Sequence, residues 1–380
     1  MKRLTTFRKE KLLRLIRARR RKEQKRKARF FSAYEQGNTA LAVARDLFQQ
    51  RIQYCEKGEI EDRPDSRRIA LVCPQELNIQ ANFQGTLGFF ANLQHFIHLR
   101  PRTKKRTKYV DFCNLKTIDF GSLLVLAAEL DMALGQRSKQ RYRNVLLPAD
   151  VHLWQSGIAY LFQQFGILEL TGYRPREGDE ALQAHPYLTP IRFRRDTLVK
   201  GSLANDLVQD VSALSVRRDE EQGGKLYTAL TEAMTNTNMH AYPVSFTNYP
   251  GRTNTFWWGG AIYDRSTETA HFVMYDRGVG LPKTIPKRGW ARSMVDSGAN
   301  SDSALVKAAL TAPRSSTGEP QHGKGLRQMA EAVDHKEGSF LRIISGKAVV
   351  TYRGDNQISS RELPVEFGGT LIEWSICDRD

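Results

Sequence analysis

The 380-residue chain has little cysteine: Cys55, Cys73, Cys113 and Cys377 lie far apart, with no CxxC pair and no cluster of histidines nearby. That spacing excludes a disulfide-stapled miniprotein, makes a zinc site a poor fit and points to a reduced intracellular compartment. Long apolar runs are missing too. The longest, around Leu123 to Leu130, is interrupted by Glu129 and is too short to cross a bilayer. The basic beginning is followed by Ala28, Phe30 and Phe31 and then by polar sequence, so it lacks the apolar run of a secretory signal. These absences predict a cytoplasmic protein with no transmembrane segment. Aromatic residues are few among the basic ones, Phe7 and Tyr142 standing between them, which leaves sequence-specific nucleic-acid readout short of stacking platforms.

What is present describes a soluble chain, 40% apolar and 26% charged, large enough for a sizeable core and more naturally two domains than one. Subtracting 41 acidic from 58 basic residues gives +17. Residues 1–30 alone hold fifteen Lys and Arg against Glu10 and Glu23, or +13, so the other 350 residues carry only +4. The excess charge belongs to an arm. Residues 1–35 read as a basic helix in which Leu4, Phe7, Leu12, Leu15 and Ile16 form a thin apolar stripe. Such a helix repels itself and needs a polyanion, nucleic acid or an anionic lipid surface, to become ordered; a merely solubilising tail is the alternative. Further basic runs at Arg100–Lys108 and Arg137–Arg143 extend the same chemistry.

Between residues 68 and 172, strand-like and helix-like runs alternate (Ile69–Val72, Phe83–Leu99, Tyr109–Phe112, Leu123–Leu134, Asn144–Leu147, Ile158–Phe165), as in a small α/β domain. Residues 173–200, with Pro175, Gly178, Pro186 and Pro190, read as a linker. A second domain spans 201–380, opening with a helix over Leu226–His240 and continuing through strands at Thr255–Tyr263 and His271–Tyr275. Fifteen of the 28 glycines fall within 251–380, so unusual backbone demands concentrate there.

Four elements of that domain carry chemistry. Glu232, Asn236 and His240 are spaced four apart, so on a helix they share one face, able to hold a divalent cation and a water or to serve as an ordinary solvated face. The run Phe272-Val-Met-Tyr-Asp276-Arg-Gly278-Val-Gly280 delivers an Asp from an apolar strand into a turn whose glycines allow close approach of a ligand. His322-Gly323-Lys324-Gly325-Leu326 places glycines at the start of a helix, where free amides and the helix dipole favour phosphate. Finally Gly368-Gly369-Thr370 opens the last strand with a hydroxyl beside paired glycines. Each is weak alone; their fixed order in one domain is not.

Together they resemble the GHKL (Bergerat-fold) ATP-binding domain of gyrase, Hsp90, MutL and histidine kinases, over residues 200 to 377. TEAMTNTNMHAY is closest to the corresponding helix of the anti-sigma-factor serine kinases. The resemblance implies an α/β sandwich with helices on a mixed sheet. It implies that Asp276 accepts a hydrogen bond from the adenine amino group, with Gly278 and Gly280 leaving room for the base and Thr370 helping to fix Asp276. Asn236 gives an oxygen to Mg²⁺, while Gly323, Lys324, Gly325 and Leu326 border the phosphates of ATP. Glu232 is the candidate general base for water or for a substrate hydroxyl, the alternative being that it only orients Mg²⁺ or water. His240 is structural in this scheme. The polar stretch 281–322, with one helical patch at Ala304–Leu310, becomes a lid, from which Arg314, beside Ser315 and Ser316, reaches toward the γ-phosphate. An ATP-dependent homodimer is also implied.

In the first domain, Tyr109–Ala128 resembles the central strand, loop and helix of a STAS domain, a protein-binding module. Gly121 stands where that family carries its phosphorylated serine, and Ser122 comes one residue late. Asp119 is then a helix cap. Three functions compete: a GHKL ATPase acting as a nucleotide-dependent switch on a protein partner, a protein-serine kinase of anti-sigma type, and a non-catalytic nucleic-acid-binding regulator.

Overall fold

The computed structural model describes residues 60–63, 68–98, 107–135, 151–171, 173, 185–215, 219–242, 255–285, 301–311, 325–354 and 357–378. The basic arm, the stretch Asn144–Leu147 and most of the lid segment lie outside the described residues.

The described chain is mixed α/β. Its N-terminal part holds strands β1 (Ile60–Arg63), β2 (Arg68–Val72), β3 (Glu76–Leu77), β4 (Thr107–Asp111) and β5 (Thr117–Ile118). With them are helices α1 (Phe83–His98), α2 (Phe120–Gly135), α3 (Ser156–Gln164) and α4 (Ile167–Thr171). β1, β2 and β4 form a three-stranded sheet, antiparallel then parallel, while β3 and β5 pair in parallel. Asp119 ends the β5–α2 turn: its Oδ1 accepts from the Ser122 amide (2.6 Å) and its Oδ2 from the Ile79 amide (2.7 Å). It thereby caps α2 and ties the helix to the turn before α1.

The C-terminal part follows as β6 (Leu188–Asp196), α5 (Gly201–Ser212), α6 (Glu220–Asn236), β7 (Trp257–Asp264), β8 (Thr269–Asp276) and α7 (Leu281–Thr284). After these come α8 (Asp302–Thr311), α9 (Gly325–Glu331), β9 (Phe340–Ser345), β10 (Ala348–Tyr352), β11 (Ile358–Glu362) and β12 (Thr370–Cys377). Its seven strands are ordered β11-β10-β9-β12-β8-β7-β6. Every neighbouring pair is antiparallel, which corrects the expected mixed sheet. The stretch read as a linker also differs, since residues 188–196 form the edge strand β6 along β7. Pro190 had argued against a strand there, and an edge is where a sheet tolerates a residue with no N–H. The other edge, β11, is exposed and polar (ISSRE), which blunts pairing with further chains.

The central strands alternate apolar residues onto both faces, because successive side chains in a strand point oppositely. Trp257, Ala261, Tyr263, Phe272, Met274, Ile343, Val350 and Ile372 face a core completed by α5, α6, α8 and α9. Trp258, Ile262, Val273, Tyr275, Ile344, Val349 and Leu371 face a second core shared with α1 to α4. The sheet is thus the middle of three layers, and α2 lies directly on β7 and β8. Phe165 of the N-terminal half seats against Gly260 of β7, where a Cβ would come within 2.6 Å of its ring. No helix among the described residues is long and apolar enough to cross a membrane.

Candidate functional site

The site is built where the C-terminal ends of α6 and β8 meet the start of β12. α6 begins at Asp219, whose Oδ1 accepts from the Gln222 amide (3.0 Å), and buries Leu226, Ala229, Leu230, Ala233 and Met234. Its threonines suit a helix poorly, yet Thr228, Thr231 and Thr235 each bond a carbonyl one turn back, which satisfies their hydroxyls within the helix. After Asn236 the helix widens into a π turn over Thr237–Ala241, a form often found at functional sites.

That turn holds the Asp-Gly loop. Asp276 ends β8 buried; its Oδ1 accepts from the Gly278 amide (2.7 Å) and its Oδ2 lies 3.3 Å from the Thr237 hydroxyl. Thr237 also reaches the Ala233 carbonyl (3.1 Å), so its single proton serves one acceptor at a time. The Val279 amide donates to the Ala241 carbonyl (2.9 Å). A Cβ on Gly278 would fall 2.4 Å from that same oxygen. The space beside Gly278 is therefore filled by the π turn. Gly280, at φ +89°, borders the cleft itself.

The paired glycines before β12 pass behind this loop. Gly369 has φ +111°, and a Cβ there would meet the Asp276 carbonyl at 2.0 Å. Thr370 is the register partner of Asp276 across β12 and β8. Its hydroxyl lies 3.0 Å from Ser345 Oγ, which also approaches the Gly369 carbonyl (3.2 Å) and accepts from the Leu281 amide (2.8 Å). Ser345, fully buried, is a residue that the motifs missed; a hydroxyl at the end of β9 before Gly346 was its only signal.

The helix α9 brings the third motif to the first. A Cβ on Gly325 would lie 2.8 Å from Glu232 Oε2 and 3.2 Å from Asn236 Nδ2, so the glycine lets the helix start against both side chains. Burial pushes the half-buried Glu232 carboxyl above its ordinary range. Asn236 Nδ2 is buried with no hydrogen-bond partner. Oxygen and nitrogen of an amide exchange by a flip that keeps its shape, so the unsatisfied end can equally present an oxygen beside Gly325. That fits a hard cation held by one amide oxygen, phosphate oxygens and water. No group of three or more His, Cys, Asp and Glu side chains able to hold a metal occurs among the described residues.

Asn236, His240, Asp276, Gly280, Leu326 and Thr370 line one cleft, so residues from all four motifs border or abut it. As it stands the cleft has about 20 Å³ of free space, room for a single water and far below the roughly 300 Å³ of a small-molecule site. A nucleotide would have to widen it. Gly323, Lys324, Arg314, Ser315 and Ser316 lie outside the described residues. A larger hollow of about 530 Å³ runs between α5 and α6, past Asn205, Gln209, Asp219, Glu220 and Tyr227. It contains none of the motif residues, and convergence of chemistry is a better guide to a site than open space along two helices.

Comparison with models of known protein families and with curated proteins gives no match for this chain.

Proposed function

We propose that the C-terminal half binds ATP with Mg²⁺ and hydrolyses it slowly, as a GHKL (Bergerat-type) nucleotide-dependent switch whose STAS-like N-terminal half and basic arm engage a partner. One observation carries the reading: four motifs scattered over 139 residues of sequence, from Glu232 to Thr370, converge on one cleft. Asp276, buried at the cleft and oriented by the Gly278 amide and the Thr237 hydroxyl, is suited to accept the amino group of adenine, since a carboxylate oxygen takes more than one hydrogen bond. Asn236, with an unsatisfied amide end, is suited to Mg²⁺, which when bound would compensate the charge of the phosphates. Glu232, held above its ordinary pKa and next to the start of α9, is suited to take a proton from water.

The test is ATP titration with Mg²⁺ followed by phosphate release. Asp276→Asn is expected to abolish binding, because the Gly278 amide requires the one oxygen of the new amide and leaves its N–H where the adenine amino group needs an acceptor. Glu232→Ala is expected to bind ATP and lose turnover; normal hydrolysis by that variant refutes the general-base role. With γ-labelled ATP, label on a protein serine identifies the kinase alternative, and free phosphate the hydrolase. Ser122 gains no support as an internal acceptor, since it is fully buried in α2.

A further inference from the structure

Asp276 and Arg277 are consecutive, so their side chains leave the end of β8 on opposite faces of the sheet. Asp276 faces α6 and the cleft. Arg277 faces α2 of the N-terminal half, where its Nε lies 3.3 Å from Glu129 Oε1; the two side chains are 15% and 3% exposed. The Arg277 backbone amide donates to the Tyr242 hydroxyl (3.0 Å), which donates to the Phe256 carbonyl (2.7 Å). The loop is therefore gripped at its backbone from the α6 side and at its side chain from the α2 side. Two residues along α2, Asp131 pairs with Arg195 of β6 and accepts from Trp258 Nε1 of β7 (2.9 Å), which fixes α2 to the same sheet.

We propose that Glu129 is a positioning residue for the Asp276 loop, acting through Arg277, and that the seating of α2 on the sheet thereby sets nucleotide affinity. The proposal rests on the nucleotide reading above. An ion pair this buried is costly to break: removing Glu129 takes a carboxylate partner from the largely buried Arg277 guanidinium, and Arg277 moves with the backbone of Asp276. Coupling between two sites is reciprocal, so whatever grip on Asp276 α2 provides, a ligand on Asp276 returns to α2. The connection is contiguous, running from α2 through Glu129 and Arg277 to the turn that carries Asp276. It assigns the N-terminal half a regulatory role in which a partner that lifts α2 weakens ATP binding.

The experiment measures ATP binding to the full chain by titration calorimetry, with hydrogen exchange read in the presence and absence of ATP and Mg²⁺. In the wild type, ATP is expected to slow amide exchange in α2, across the sheet from the cleft, as well as in α6. Glu129→Gln is expected to weaken ATP binding tenfold or more, to raise KM with little change in kcat, and to lose the ATP effect on α2. Glu129→Asp, which keeps the charge, is expected to recover most of the affinity. A wild-type chain that binds no ATP refutes the nucleotide reading and the coupling together. A wild-type chain that binds ATP without slowing exchange in α2 refutes the coupling alone, and that arm requires no variant to fold. Equal affinity in a folded Glu129→Gln protein refutes it as well.

Discussion

At the scale of single residues, glycines show how the same atom deletion serves opposite ends. Gly278 has the Ala241 carbonyl 2.4 Å from where a Cβ would stand, and backbone cannot step aside as a flexible side chain can. Gly278→Ala is expected to cost about 1–3 kcal/mol by overpacking and to lose ATP binding with it, checked by denaturant unfolding and titration. Gly224 lies inside α6 with nothing within 4 Å of its Cβ position. Gly224→Ala is expected to stabilise by up to about 1 kcal/mol, because alanine removes backbone freedom from the unfolded chain at no steric cost. Glu232 carries a prediction about pH. Its carboxyl is raised by burial, so it stays protonated to a higher pH than an exposed glutamate. As the general base, it should give an acid limb in the rate profile above the ordinary glutamate range, with activity lost as pH falls through that limb and absent in Glu232→Gln.

At the scale of elements, the contact between α2 and the sheet buries charge as well as apolar surface. Glu373 of β12 lies under the start of α2, where Gly121 leaves space for its Oε1 and Arg342 of β9 donates to its Oε2 (3.1 Å). Burial, opposed by Arg342 and reinforced by the nearby Asp119 carboxylate, pushes Glu373 up to about 7. A carboxyl with a raised folded pKa binds its proton more tightly when folded. The stability it contributes is full below its unfolded value and is lost as pH rises to about 7. Wild type is therefore expected to lose stability across that window, on the order of a few kcal/mol at most. Glu373→Gln should flatten the dependence, as thermal unfolding at pH 5 and pH 8 would show. The elements themselves were largely legible: α1, α2, α6, β7 and β8 follow the expected runs, because their apolar periodicity is strong. β6 was not, since Pro190 and its arginines read as linker until β7 is present to pair with it. Nor was the π turn after Asn236, which the Asp-Gly loop packed against it accommodates.

At the scale of the whole molecule, the two halves share a core, where composition alone suggested two domains joined by a linker. Trp258, Ile262, Val273, Tyr275 and Leu371 are covered by the N-terminal helices. Residues 188–378 expressed alone are expected to bind a hydrophobic dye and to aggregate, as an uncovered apolar sheet face does; a monomeric fragment with no dye binding would count against a shared core. The arm acts at this scale too. Removing residues 1–30 takes away +13 of the +17. If the arm meets nucleic acid, that deletion should abolish the steep salt dependence of duplex binding while leaving ATP affinity unchanged.

The sequence by itself determined the apolar alternation of the strands, the concentration of charge in thirty residues, and the order of the Glu232, Asn236, Asp276, Gly325 and Thr370 motifs. These are properties of neighbours along the chain. Only the tertiary structure decided that Ser345 supports Thr370, that Ala241 fills the space beside Gly278, and that Glu129 of α2 meets Arg277 on the face of the sheet away from the cleft. Each joins residues far apart in sequence, and no local period encodes which distant side chain a folded sheet brings to a given face.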